Sequence, residues 1–155
     1  MKLSWLREEE KLIPCKFVHL GAVREVLLHH LSAADIDEAD RRFPVVRPPV
    51  LMGDDDKPMR DEHGMPRMDE QSLVYVTAAI ERAVNHASYL GVMALGADKF
   101  DAKDIDDQIK ELRNTFSRMA IIAIRDAALA DAVLTPAILE AAKESVVPFD
   151  ATSTA

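Results

Sequence analysis

The stretch "FPVVRPPVLMGDDDKPMRDEHGMP", residues 43–66, constrains the fold more than any other part of the chain. It holds five of the eight prolines and two of the five glycines. Proline has no N–H to donate and a fixed φ. Pro44, Pro48, Pro49, Pro58 and Pro66 therefore forbid a regular helix or a central strand here. "RPPV" should be extended, near polyproline II. Gly53 and Gly64 are turn signals. The stretch reads as an extended connection over 44–67, with either a short edge hairpin within 50–62 or a loop. It divides an N-terminal segment, 1–43, from a helical region, 68–146, and a flexible tail, 147–155.

Residues 1–12 mix charge and apolar groups and suit a short helix or a loose arm. Ile13, Cys15, Phe17 and Val18 then predict a strand over 13–20, closed by Gly21. Val23, Val26 and Leu27 fit either a helix or a second strand after a turn at Gly21. Ser32 followed by Asp35 resembles a capping box, with Asp in place of Glu or Gln. A short helix over 33–42 follows, with Ile36 and Ala39 inward, and Phe43-Pro44 ends it because a residue before proline avoids the α region.

From Met68 the apolar period becomes helical. Asp69 is the expected N-cap, with Glu70 in the first turn. Val76, Ile80, Ala83, Val84, Ala87, Leu90 and Ala94 recur at helical spacing until Gly96, a C-cap residue. Gly91 should cost about 1 kcal/mol relative to Ala, unless it permits a neighbouring helix to approach. A second helix begins after Asp101 and carries Ile105, Ile109, Leu112 and Phe116. Either it continues, or Ser117 caps a separate helix bearing Met119, Ile122, Ala123, Ala127 and Ala130. Thr135-Pro136 opens a last short helix that Pro148 stops. The expected class is mainly α: a helical bundle over about 68–146, a short β-containing N-terminal segment and a proline-rich extended connection. No repeat of solenoid type is visible.

The charge narrows the function. With a net charge of −8 and a pI near 5.1, the chain lacks the Lys/Arg clusters that neutralise phosphates, so neither nucleic acid nor membrane is an expected partner. No apolar run is long enough to span a bilayer, and the single cysteine, Cys15, cannot form an internal disulfide. A cytoplasmic location is expected. The run "DDDKPMRDEHGM" fails the calcium-loop pattern: its carboxylates are consecutive, Pro58 and Met59 occupy its middle, and Met65 stands where the closing Glu belongs. His29 and His30 are adjacent and point to different faces, so they do not easily share an ion. Cys15 and His19 lie far apart along one strand face, a poor nucleophile–base pair. No catalytic, cofactor-binding or metal residue is assigned, and no cofactor is expected. Met52, Met59, Met65 and Met68 flank the acidic run outside any helical stripe. They serve either as an adaptable partner surface or as a cover for the helices.

In order along the chain, "IPCKFVHLG", "VLLHHLSAADIDEADRR", "VVRPPV", "DEQSLVYVTAAIERAVNHASYLGVMALG" and "IDDQIKELRNTFSRMAIIAIRDAALADAVLTPAILEAAK" resemble the tail assembly chaperones of long-tailed bacteriophages and their prophage relatives. The resemblance covers residues 13–142 and rests on the order of soft features. It implies a non-enzymatic protein of the bacterial cytoplasm that coats the tape-measure protein before the tail tube polymerises. It also implies a longer frameshifted product in many relatives; the polar end at Ala155 would suit the shorter one. The partner-binding candidates that follow are Pro48, Pro49, Met52, Met59, Met65, Met68, Tyr75, Tyr89 and Met93. Self-association is a further expectation. The alternative reading is a structural phage component, such as a head-tail connector or tail-completion protein. A weaker third is a metal-dependent enzyme using Asp54, Asp55, Asp56, Glu62 and His63.

Overall fold

Two turn residues with positive φ settle the first ambiguity. Leu20 (φ 50°) and Gly21 (φ 75°) form a two-residue loop of type I′ geometry, whose twist suits an antiparallel hairpin. The computed structural model describes residues 12–130, and in it the segment after Gly21 is a strand. β1 (Ile13–His19) pairs with β2 (Ala22–Leu28), in register Ile13 to Leu28 through His19 to Ala22. Alternation then places Cys15, Phe17 and Leu28 inward, while Val18 and Val23 face out.

Ser32 caps α1 (Ala33–Arg42) with the reciprocal bonds the sequence promised. Its Oγ accepts from the Asp35 N–H at 3.2 Å, and its own N–H donates to Asp35 Oδ2 at 2.9 Å. α2 (Leu73–Leu95) is 23 residues long and ends at Gly96 (φ 91°). Its N-cap is Ser72, not Asp69. The Asp69 carboxylate instead accepts from the Gln71 N–H at 3.2 Å, in a turn that precedes the helix. α3 (Ile105–Thr115) starts at Asp104, whose side chain accepts from the Asp106 N–H. Ser117 does start a separate helix, α4 (Arg118–Leu129). The inward face of α4 matches the expected one only in part: Ala123 and Ala127 pack against the core. Ala120, Ile121, Ile124 and Ala128 are buried, whereas Met119 is 74% exposed and Ala130 is exposed. α4 is covered by α2 on one side and β1 on another, and the direction of those neighbours sets the face.

The described residues are thus mainly α with one small antiparallel sheet. α2 is the central rod: α3 and α4 pack on one side of it, and α1 on another. A Cβ added at Gly91 would stand 3.1 Å from Leu112 Cδ2 and 3.8 Å from Ile124 Cγ2, so this glycine permits both helices to approach. The hairpin lies on α4, where Phe17 meets Phe116 edge-on at 5.4 Å. At its exit, the His29 N–H donates to the Ala94 carbonyl at 2.7 Å. α1 is clamped to α2 by Arg82, which donates to the Phe43 carbonyl at 2.7 Å and to Asp40 at 3.3 Å, and by His86 at 2.9 Å from the same carboxylate. The buried polar groups are answered: Ser88 Oγ donates to the Val84 carbonyl, and Gln108 Nε2 to that of Ala102. The expected arm over 1–12 lies outside the described residues except for Leu12. The helix after Thr135 and the tail lie wholly outside them.

Candidate functional site

The proline-rich stretch is where the structure departs most from an extended connection. Residues 49–72 fold into three short antiparallel crossings that repeat every eight residues. The Leu51 N–H donates to Arg67 O at 2.8 Å, Arg67 N–H to Met59 O at 2.8 Å, and Met59 N–H to Leu51 O at 2.9 Å. The ring is closed, and each member both donates and accepts. A second set keeps the same spacing: the N–H groups of Gly53, Asp61 and Asp69 donate to the carbonyls of Lys57, Met65 and Pro49. In a third, Asp56, Gly64 and Ser72 donate to Gly53, Asp61 and Asp69, closing three β-turns. Asp56 (φ 55°) and Gly64 (φ 76°) hold the left-handed residue that a three-residue hairpin loop requires. At the third turn Ser72 leaves the pattern and starts α2.

This pairing satisfies backbone groups in a segment too rich in proline for ordinary strands. Pro58 and Pro66 sit at bridge positions whose N–H is not needed by the ladder. The bridge pairs are Val50–Met68, Met52–Pro58 and Arg60–Pro66. Partners in such pairs share a face, and residues two apart on a strand do too. Val50, Met52, Pro58, Pro66 and Met68 therefore make one apolar face, broken only by Arg60. Leu51, Met59 and Arg67 point to the other. None of residues 44–83 belongs to the main hydrophobic core, so the unit, which leads directly into α2 at Ser72, lies outside that core. The turns carry most of the seven carboxylates that residues 49–72 set against three cations.

The predicted partner residues distribute unevenly. Met52 (51% exposed) and Met68 (42%) lie together on the apolar face. Met59 is on the opposite face, and Met65 (62%) stands at the start of the third crossing. Pro48 is half-buried, and Pro49 is exposed with its carbonyl bonded to the Asp69 N–H. Tyr75 and Met93 are half-buried. Tyr89 is a core residue rather than a surface one. It is buried, its ring lies 6.5 Å from Phe43, and the Arg42 guanidinium sits 5.4 Å over it. Burial raises its phenol pKa. Leu73 and Val74, each 80% exposed at the start of α2, and Arg113 and Arg118, which line a groove with Ile80, are not among the residues expected from the sequence.

Two of the hollows beside the helices are lined by described residues. A cleft of about 630 Å³ lies between the end of β2 and α3, with Val26, Leu27, Leu95, Phe100, Leu112 and Phe116 as its apolar wall. A smaller groove of about 350 Å³ runs beside α2 and is lined by Thr77, Ile80, Glu81, Val84, Arg113 and Arg118. Cys15 is inert by position: its buried thiol is 3.7 Å from the Ala123 carbonyl, and burial raises its pKa. The His19 ring packs 5.2 Å from that of Phe116. Among the described residues no group of three or more His, Cys, Asp or Glu side chains is placed to hold a metal ion. No helix among them is long and apolar enough to cross a membrane. Comparison with protein-family profiles, characterised proteins and solved structures finds no match to this chain.

Proposed function

We propose that the protein is a tail assembly chaperone of a phage or prophage, which binds the tape-measure protein and keeps it from aggregating before the tail tube forms. The observation that carries this reading is the apolar face of Val50, Met52, Pro58, Pro66 and Met68, held outside the core on an acidic unit. A holdase needs apolar surface that adapts to its client, and methionine supplies it because its side chain is unbranched and polarisable. The surrounding carboxylates favour a client with basic flanks. On this reading α1, α3, α4 and the second half of α2 form the rigid body, the proline-rich segment is the gripping element, and the site of action is the bacterial cytoplasm. The resemblance of residues 13–142 to the tail assembly chaperones supplies the identity of the client. Chemistry at an active site has no part in the reading.

Co-expression with the tape-measure protein tests it. The client should move to the soluble fraction with the native chain and return to the pellet with Met52→Asp/Met68→Asp. Both positions are exposed, so the variant should melt within about 0.5 kcal/mol of the native chain. A tape-measure protein that stays insoluble with and without the native chain sinks the proposal.

A further inference from the structure

The face of α2 that packs on α3 and α4 continues past the end of that packing. Leu73, Val76 and Ile80 follow helical spacing onto the same face as Val84 and Gly91, yet they are 80%, 37% and 47% exposed. Val84, one turn further, is buried. The bare stretch, residues 73–83, is three turns long, about 16 Å. Its two ends carry opposite charge. At the inner end, Arg113 and Arg118 border the groove beside Ile80. Arg113 donates to the neutral Asn85 at 2.6 Å, and Arg118 has no carboxylate partner among the described residues. At the outer end, Asp69 and Glu70 have no cationic partner among the described residues.

We propose that a second copy of this chain covers the stripe, with the two α2 helices antiparallel across a two-fold axis near Thr77. An apolar surface with acid at one end and base at the other is complementary to itself when one copy is turned end for end. Leu73 of each copy then lies opposite Ile80 of the other. Asp69 and Glu70 of each reach Arg118 of the other. A parallel pairing would set Arg118 against Arg118 and Glu70 against Glu70, which like-charge repulsion disfavours. Glu81, the one carboxylate lining the groove, shares it with two arginines and does not reverse its sign. The pairing uses a different surface from the methionine face and stands whether or not the chaperone reading does.

Sedimentation equilibrium of the full chain over a range of concentrations tests the pairing, together with cross-linking of Thr77→Cys. The native chain should be dimeric. Thr77→Cys should give a disulfide-linked dimer on mild oxidation; the native Cys15 is buried and does not compete. Ile80→Asp should raise the dimer dissociation constant about 100-fold. Leu73→Asp, at the exposed tip, should act the same way and guards against a folding defect in the first variant. Arg118→Glu should weaken the dimer, and Glu70→Arg in the same chain should restore it. A monomer at every concentration overturns the proposal, as does a dimer indifferent to both Asp variants. Failure of the double reversal to restore affinity overturns the antiparallel register.

Discussion

Leu20 is 89% exposed and holds φ 50°, a conformation that costs an ordinary L-residue about 1–2 kcal/mol. Asparagine tolerates that region, and Asn-Gly is the preferred pair of the type I′ loop. Leu20→Asn should therefore stabilise the protein by about 0.5–1 kcal/mol, read as a rise in thermal midpoint. A fall would mean that Leu20 is covered by something the hairpin alone does not provide. Glu38 is the other single residue with a distinct signature. Hydrogen bonds from Arg41, at 2.6 and 2.7 Å, and from Arg42, at 2.7 Å, lower its carboxyl pKa to about 2 from the ordinary 4.5. A pKa lowered on folding stabilises the folded state above the ordinary value, and that contribution disappears as pH falls from about 4.5 to about 2. Glu38→Gln should flatten the decline in thermal midpoint across that window and leave its pH dependence above pH 5 unchanged. Equal slopes in the two proteins would show that the Arg41–Glu38–Arg42 cluster carries no net coupling to folding.

At the scale of elements, α2 depends on Gly91 and the three-crossing unit on its hydrogen-bond ring. Gly91→Ala should be close to neutral, because about 1 kcal/mol of helix propensity offsets crowding against Leu112 Cδ2 at 3.1 Å. Gly91→Val should destabilise by about 1–3 kcal/mol, since a branched side chain cannot fit between Leu112 and Ile124 without moving a helix. Chemical denaturation measures both, and a neutral Val variant would refute the close approach. The ring makes a separate prediction for amide hydrogen exchange. The Leu51, Met59 and Arg67 amides each depend on the other two segments, so they should exchange at one common slow rate. The amides of Asp54 and Glu62, at the turn tips, should exchange much faster. Three unrelated rates at Leu51, Met59 and Arg67 would mean that the crossings open independently.

Across the whole molecule, a packed body and a projection divide the work. The hairpin, α1, α3, α4 and the second half of α2 share the core; residues 44–83 lie outside it. The projection presents two exposed apolar surfaces, the methionine face and the bare stripe of α2, apart from the exposed Val18, Leu20 and Val23 of the hairpin. Only the stripe bears opposite charges at its ends, so only the stripe is suited to a second copy. Disrupting one should spare the other: Ile80→Asp should abolish dimers without returning the tape-measure protein to the pellet. Loss of both properties in that variant would mean that client binding requires the paired form.

Much of this architecture is local and therefore legible in the sequence. The Ser32 capping box, the Gly96 stop, the turn at Gly21 and the Ser117 cap, one of two continuations open in the sequence, all rest on hydrogen bonds or φ preferences within a few residues; the sequence puts the starts at Ser72 and Asp104 earlier, at Asp69 and after Asp101. The repeat was legible too: "KPMRDEHG" and "MPRMDEQS" align Pro58 with Pro66, Asp61 with Asp69 and Glu62 with Glu70. A period of eight is too short for a solenoid, so a reading tuned to longer repeats passes over it. The sequence by itself determined the first strand, the helical stretches with the Ser32 cap and the Gly96 stop, and the exclusion of helix from the proline-rich stretch. Tertiary structure alone decided that this stretch closes on itself, that Tyr89 is buried under Arg42, that α4 turns Ile121 and Ile124 inward, and that α2 outruns its neighbours. Each of those outcomes depends on groups brought together from distant positions, and the period of a single segment carries no information about what lies against it.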